Sequence, residues 1–163
     1  MSHKARSEKK LLAYLVKYKI DTTNVYFTNS TELYSSKFVS DSSVLKNHFR
    51  PIQFRVFDSS GKIVNIWANC YGPMSYYFKD VNDLLHKKLK KDMILSTSLN
   101  DYTPHMRKQP VIDPGKYDII ILAYWEWYME HHSTDMLKQI QALPNASNKK
   151  VLLIKLNLDN SKP

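Results

Sequence analysis

Cys70 is the single cysteine of this 163-residue chain. Thiol–disulfide exchange needs an attacking thiolate and a second cysteine to resolve the mixed disulfide. One cysteine therefore excludes an internal disulfide, intramolecular redox turnover and a cysteine-rich zinc site. It leaves open a one-cysteine thiol enzyme, which would want Cys70 exposed, at a helix N-terminus and beside a cation. Cys70 does precede a helical pattern that contains Phe78. As a small hydrophobe, Cys70 also fits a buried position.

Glu130-His131-His132 is the second chemical signal. Adjacent helical residues point about 100° apart, so two neighbouring imidazoles share one ion poorly. No HExxH and no i,i+4 histidine pair occurs, and no metal site is expected. A carboxylate at a helix start is favoured by the dipole, which also accounts for Glu130. Acid–base catalysis by His131 or His132 with Glu130 is the enzymatic alternative.

Aromatic side chains give the third signal. Tyr124, Trp125, Trp127 and Tyr128 follow an apolar run, and Tyr71, Tyr76 and Tyr77 follow another. Aromatic and methionine side chains at a strand-to-helix junction suit a surface that holds a peptide. Core packing is the competing use for the same residues.

The net charge of +9 is unevenly placed. The first 91 residues carry 16 Lys and Arg against 7 Asp and Glu, and the remainder is balanced. Lys87, Lys88, Lys90 and Lys91 form one cluster, Lys4, Arg6, Lys9 and Lys10 another. Such fields attract nucleic acid or anionic surfaces. No nucleic-acid-binding motif is present, however, and the aromatics lie on other elements, so weak non-specific anion binding is expected. No stretch of about 18 apolar residues exists to span a membrane, and the start of the chain lacks the apolar core of a signal peptide. The compartment stays open on these grounds.

The elements that position these residues follow from periodicity. Leu11, Leu12, Leu15 and Val16 mark one face of a helix over 8–19, and Val25–Thr28 reads as a short strand. Ser30-Thr31-Glu32 caps a second helix to about Phe38. Residues 52–57 and 62–67 alternate about an Asp58-Ser59-Ser60-Gly61 turn and form an antiparallel hairpin. Phe78, Val81, Leu85 and Leu89 mark a helix to about Lys91, and Met93–Leu99 reads as a strand. Residues 100–116, with Pro104, Pro110, Pro114 and Gly115, form a long connection. Residues 118–125 lack polar alternation, so both faces should be buried in a sheet centre. A helix capped by Ser133 or Thr134 follows, with Met136, Leu137, Ile140 and Leu143 inward, and 151–158 is a second apolar strand. Strand, helix and strand make a parallel crossover unit. The chain reads as one α/β domain over 1–163, with residues 1–7 expected to be disordered.

Two stretches resemble the thioredoxin-like superfamily. The run from Pro51 through the turn to Val64, followed by a helix, is similar to that superfamily's closing proline–strand–turn–strand–helix unit. The strand 118–125 ending in Tyr124-Trp125, its helix, and the strand closing on Leu156-Asn157-Leu158-Asp159 resemble the first half. The two halves occur in reversed order. Where the family carries its cysteine pair, Met129 and His132 stand here. The segment 67–74 echoes the family's active-site motif in a competing register, with Tyr71 and Met74 at the cysteine positions. The resemblance implies a thioredoxin-like mixed sheet with helices on both faces, similar to small bacterial envelope proteins that keep the fold without the cysteines. It implies a redox-inactive module without cofactor, holding a protein or peptide partner on Trp125, Trp127, Tyr128, Met129 and His132.

Overall fold

The computed structural model describes residues 6–28, 52–68, 80–86 and 98–159. They form a mixed α/β structure around one five-stranded sheet of order β1-β5-β4-β2-β3. The strands are β1 (Val25–Phe27), β2 (Gln53–Asp58), β3 (Ile63–Ala68), β4 (Ile119–Trp125) and β5 (Val151–Asn157). The described α-helices are α1 (Glu8–Lys17), α2 (Val81–His86) and α3 (Glu130–Ala142).

The hairpin forms as its sequence requires. β2 and β3 pair antiparallel from Gln53↔Ala68 to Phe57↔Ile63, with a bulge between Val56 and Phe57. Asp58 organises the turn. Its Oδ1 accepts from the Ser60 N–H at 2.9 Å, the Ser60 hydroxyl at 2.6 Å and the Lys62 N–H at 3.1 Å. Desolvation works upward on this carboxyl, yet the bonds from Ser60 and Lys62 hold it below the usual carboxylate range. Gly61 closes the turn at φ +76, a conformation that side chains rarely adopt.

β4 is the hub. It pairs parallel with β5 from Ile119↔Val151 to Trp125↔Asn157, and antiparallel with β2 from Gln53↔Tyr124 to Asp58↔Ile119. All seven of its residues are buried, which is why its sequence shows no polar alternation. β1 adds parallel to the outer side of β5.

Strand parity divides the core in two. Phe54, Val56, Ile119, Ile121, Ala123 and Trp125 meet Leu11 and Leu15 of α1, Val81 and Leu84 of α2, and Met136, Leu137 and Ile140 of α3. On the opposite face, Phe57, Ile120, Leu122 and Tyr124 meet Leu99, Tyr102 and Met106. Among the described residues this second face is covered by short 3-10 turns at Leu99–Asp101, Thr103–His105 and Pro114–Lys116, in the stretch whose prolines at 104, 110 and 114 read as a long connection.

Some smaller expectations change. Val16 is 64% exposed rather than part of the inward face of α1. Leu99 opens a 3-10 turn where a strand was expected to end. α3 starts at Glu130, so Ser133 and Thr134 lie inside the helix rather than capping it. The expected helix over 30–38, Cys70, Tyr71, Tyr76, Tyr77 and the Lys87–Lys91 cluster lie outside the described residues. No helix among the described residues is long and apolar enough to cross a membrane.

Candidate functional site

The junction between β4 and α3 is fixed by its backbone. Ser133 is fully buried and reaches back to Glu126, accepting from its N–H at 3.2 Å and donating to its carbonyl at 2.9 Å. One hydroxyl thus bonds both main-chain groups of the residue that follows the strand, and the Met129 N–H adds a second bond to the same carbonyl at 3.3 Å. From the other side, the Trp127 N–H donates to the Asp159 carboxylate at 2.7 Å. Asn157 supports that carboxylate through Nδ2 at 2.8 Å and also donates to the Trp125 carbonyl at 3.3 Å. Glu130 then adopts φ +43, a positive value that a non-glycine residue holds only when its surroundings impose it.

The predicted site residues separate at this junction. Trp125 is fully buried against the helical face, and its indole N–H has no hydrogen-bond partner among the described residues. It is a core plug, not an anchor available to a partner. Parity explains the correction: Trp125 shares its side of β4 with Ile121 and Ala123, and α3 packs on that side. Trp127 and Met129 are half-buried against the same cluster, and Tyr128 is 43% exposed. His132 is exposed beside His131, their rings 4.0 Å apart and tilted by 39°. Among the described residues no group of three or more His, Cys, Asp and Glu is placed to hold a metal ion.

Trp127 lies at the centre of a ring cluster. Tyr14 of α1 meets it edge-on at 6.2 Å, and the Arg6 guanidinium carbon sits 3.2 Å above its ring. Burial, then Tyr18 and the charges of Glu130 and Asp135, push the Tyr14 hydroxyl up to about 12. Arg107 anchors the start of α1 through an ion pair with Glu8 at 2.9 Å.

Glu126 is the residue that sequence inspection missed. It is 3% exposed, and its Oε2 has no hydrogen-bond partner among the described residues. Burial raises its carboxyl from the ordinary 4.5 to about 7; the Tyr128 hydroxyl donates to it and opposes the shift, and the nearby Asp159 charge adds to it. Glu126 is therefore largely protonated below neutral pH. Two further charged side chains are buried elsewhere. Arg55 lies between Tyr102 and Tyr124, its guanidinium carbon 5.1 and 4.7 Å from the ring centroids. Lys155 reaches Asp21 at 3.7 Å, and burial lowers its pKa while Asp21 opposes that effect. Both sit inside strands whose neighbours are apolar, so only the pairing shows what surrounds them.

A cleft of about 230 Å³ lies on the other face, between Tyr26, Tyr117, Pro110 and Ile112 over a floor of Leu152 and Ile154. It contains none of the predicted site residues. The junction therefore offers an exposed tyrosine and two half-buried neighbours on a fixed backbone, with a buried acid raised to about 7 beneath them. Comparison with protein-family models, curated proteins and solved structures finds no match.

Proposed function

We propose that the chain is a redox-inactive, thioredoxin-like module that binds a protein or peptide at the turn Glu126–Glu130. The observation that carries this is the combination of a fixed backbone and outward side chains. Ser133 and Asp159 hold residues 126 and 127, while the Tyr128 ring is exposed between Trp127 and Met129. A rigid turn loses little freedom on association, so the contact area of its aromatic side chains appears as affinity. The position also favours binding, since open α/β sheets take ligands at the carboxyl ends of their parallel strands. Support for the thioredoxin-like character comes from the order of units. A hairpin followed by a helix, β2–β3–α2, lies antiparallel to a strand–helix–strand unit, β4–α3–β5, in one sheet. The sequence contains one cysteine, so a turnover that resolves its own mixed disulfide is outside its chemistry.

The test is panning of a displayed random-peptide library on the folded protein. Peptides enriched on the wild type should bind the Tyr128→Ala variant roughly 30-fold more weakly, as for the loss of one interface anchor. Tyr128→Phe should keep most of the affinity, because the ring supplies the contact and the hydroxyl is turned to Glu126. Failure to enrich any sequence, or equal binding by Tyr128→Ala, overturns the proposal.

A further inference from the structure

The junction already holds one cationic side chain, and that side chain comes from the same molecule. Arg6 precedes Ser7, the residue before α1, and its guanidinium carbon stands 3.2 Å above the centre of the Trp127 ring. Among the described residues Arg6 forms no ion pair, so the indole face is its seat. The seat is electrostatically suited to a cation. Asp159 accepts the Trp127 N–H, and Glu130 lies three residues on with its charge felt at Tyr14, which is edge-on to the same indole. A planar guanidinium covers an indole face and keeps its N–H groups free at the edges, which a compact ammonium cannot do.

We propose that the outer face of Trp127 is a receptor for an arginine side chain of the bound peptide, occupied in cis by Arg6 until the partner's arginine replaces it. This rests on the binding function proposed above and names the chemistry of its partner. Arg6 is then a built-in competitor, and the apparent affinity of the free protein is lowered by the fraction of time that Arg6 is seated. The occupant is an arginine within a peptide rather than the free amino acid. The side chain that the ring already seats, Arg6, belongs to a peptide chain with neutral amides on either side.

The experiment follows the Trp127 indole N–H resonance, assigned through Trp127→Phe, during titration with N-acetylarginine amide. In Arg6→Ala the resonance should shift at an about three- to tenfold lower concentration than in the wild type, the span of a cation–π contact at a partly exposed ring. Arg6→Lys should fall between the two. N-acetyllysine amide should bind more weakly than N-acetylarginine amide, and added salt should weaken both. The proposal is overturned if Arg6→Ala and Arg6→Lys both respond as the wild type does. It is equally overturned if N-acetylglutamine amide, which is uncharged, shifts the resonance as readily. Peptide enrichment lost with Tyr128→Ala but carrying no arginine would sink this inference and leave the binding function standing. An arginine response without any enriched peptide would overturn the binding function, and with it the peptide as the source of the arginine.

Discussion

The two ends of β4 are stapled to the segments flanking β5 by the same device. At the amino end the Asp118 carboxylate accepts the Lys150 N–H at 2.7 Å, just before β5. At the carboxyl end the Asp159 carboxylate, just after β5, accepts the Trp127 N–H at 2.7 Å. There the likeness stops. Asp118 is exposed, and the turn near it carries a solvated Asp113–Lys116 pair. The carboxyl end instead combines a buried acid raised to about 7, a positive φ at Glu130 and an exposed tyrosine. Both ends close the sheet, but only one holds features that cost stability. Such costs persist where the surroundings impose them, and they concentrate where a protein does something besides fold.

The strongest way to break this contrast is to remove the residue that was expected to bind and is instead buried. Trp125→Ala should lower stability by about 3–5 kcal/mol, since a large ring is lost from a packed core. Chemical denaturation of the variant checks this. A loss below about 1 kcal/mol would mean that Trp125 is not the plug between β4 and α3, and the division between core and surface tryptophans would fail.

The second test separates the ends by pH. Between 4.5 and about 7 the unfolded chain releases the Glu126 proton while the folded chain keeps it, so stability falls as pH rises through this window. Below 4.5 both states are protonated, and above 7 both are ionised, so the slope from this residue vanishes outside it. Glu126→Gln should remove the slope, and the wild type should lose up to about 3 kcal/mol relative to the variant across the window. Urea titrations at pH 4, 5.5 and 8 measure the difference. Parallel curves for the two proteins would show that folding leaves the Glu126 carboxyl at its ordinary value.

How much of this was legible beforehand differs between the ends as well. The hairpin was readable because Asp58 and Gly61 are local signals, and their bonds stay within four residues. The buried character of β4 was readable from an unbroken apolar run. The carboxyl-end site was not, because its parts meet only through the parallel register that sets Trp125 opposite Asn157. Asp159 is 32 residues from Trp127, and no spacing rule connects them. Glu126 carried no signal beyond being a lone carboxylate among aromatics. Serine before an apolar helical pattern usually caps it, whereas the bonds of Ser133 to Glu126 make it a clamp. Trp125 and Trp127 are near neighbours in sequence, whereas the end of the strand divides them into a plug and a half-buried ring.

Ser133 gives the third test. Ser133→Ala leaves the buried Glu126 N–H without its side-chain partner, while the carbonyl keeps the Met129 N–H at 3.3 Å, and an unsatisfied buried group costs about 1–3 kcal/mol. The same variant should loosen the turn, so peptides selected on the wild type should dissociate faster. Stability lost without any change in dissociation would confine the clamp to folding and weaken the link between fixed backbone and binding.

The smallest effect belongs to the amino end. Asp118→Asn keeps an acceptor oxygen for the Lys150 N–H and removes only a charge that water already screens, so the loss should stay below about 1 kcal/mol. The matching change at the other end, Asp159→Asn, should act in two opposed ways. It weakens a charge-assisted bond to the Trp127 N–H, and it removes the negative charge that raises Glu126. Its net loss should therefore shrink as pH rises and Glu126 ionises, whereas the loss from Asp118→Asn should stay constant across the same range. Denaturation of both variants at pH 5 and pH 8 decides the matter. A constant difference for Asp159→Asn would mean that Asp159 and Glu126 do not feel each other, and the two ends of β4 would then be held by staples of the same kind.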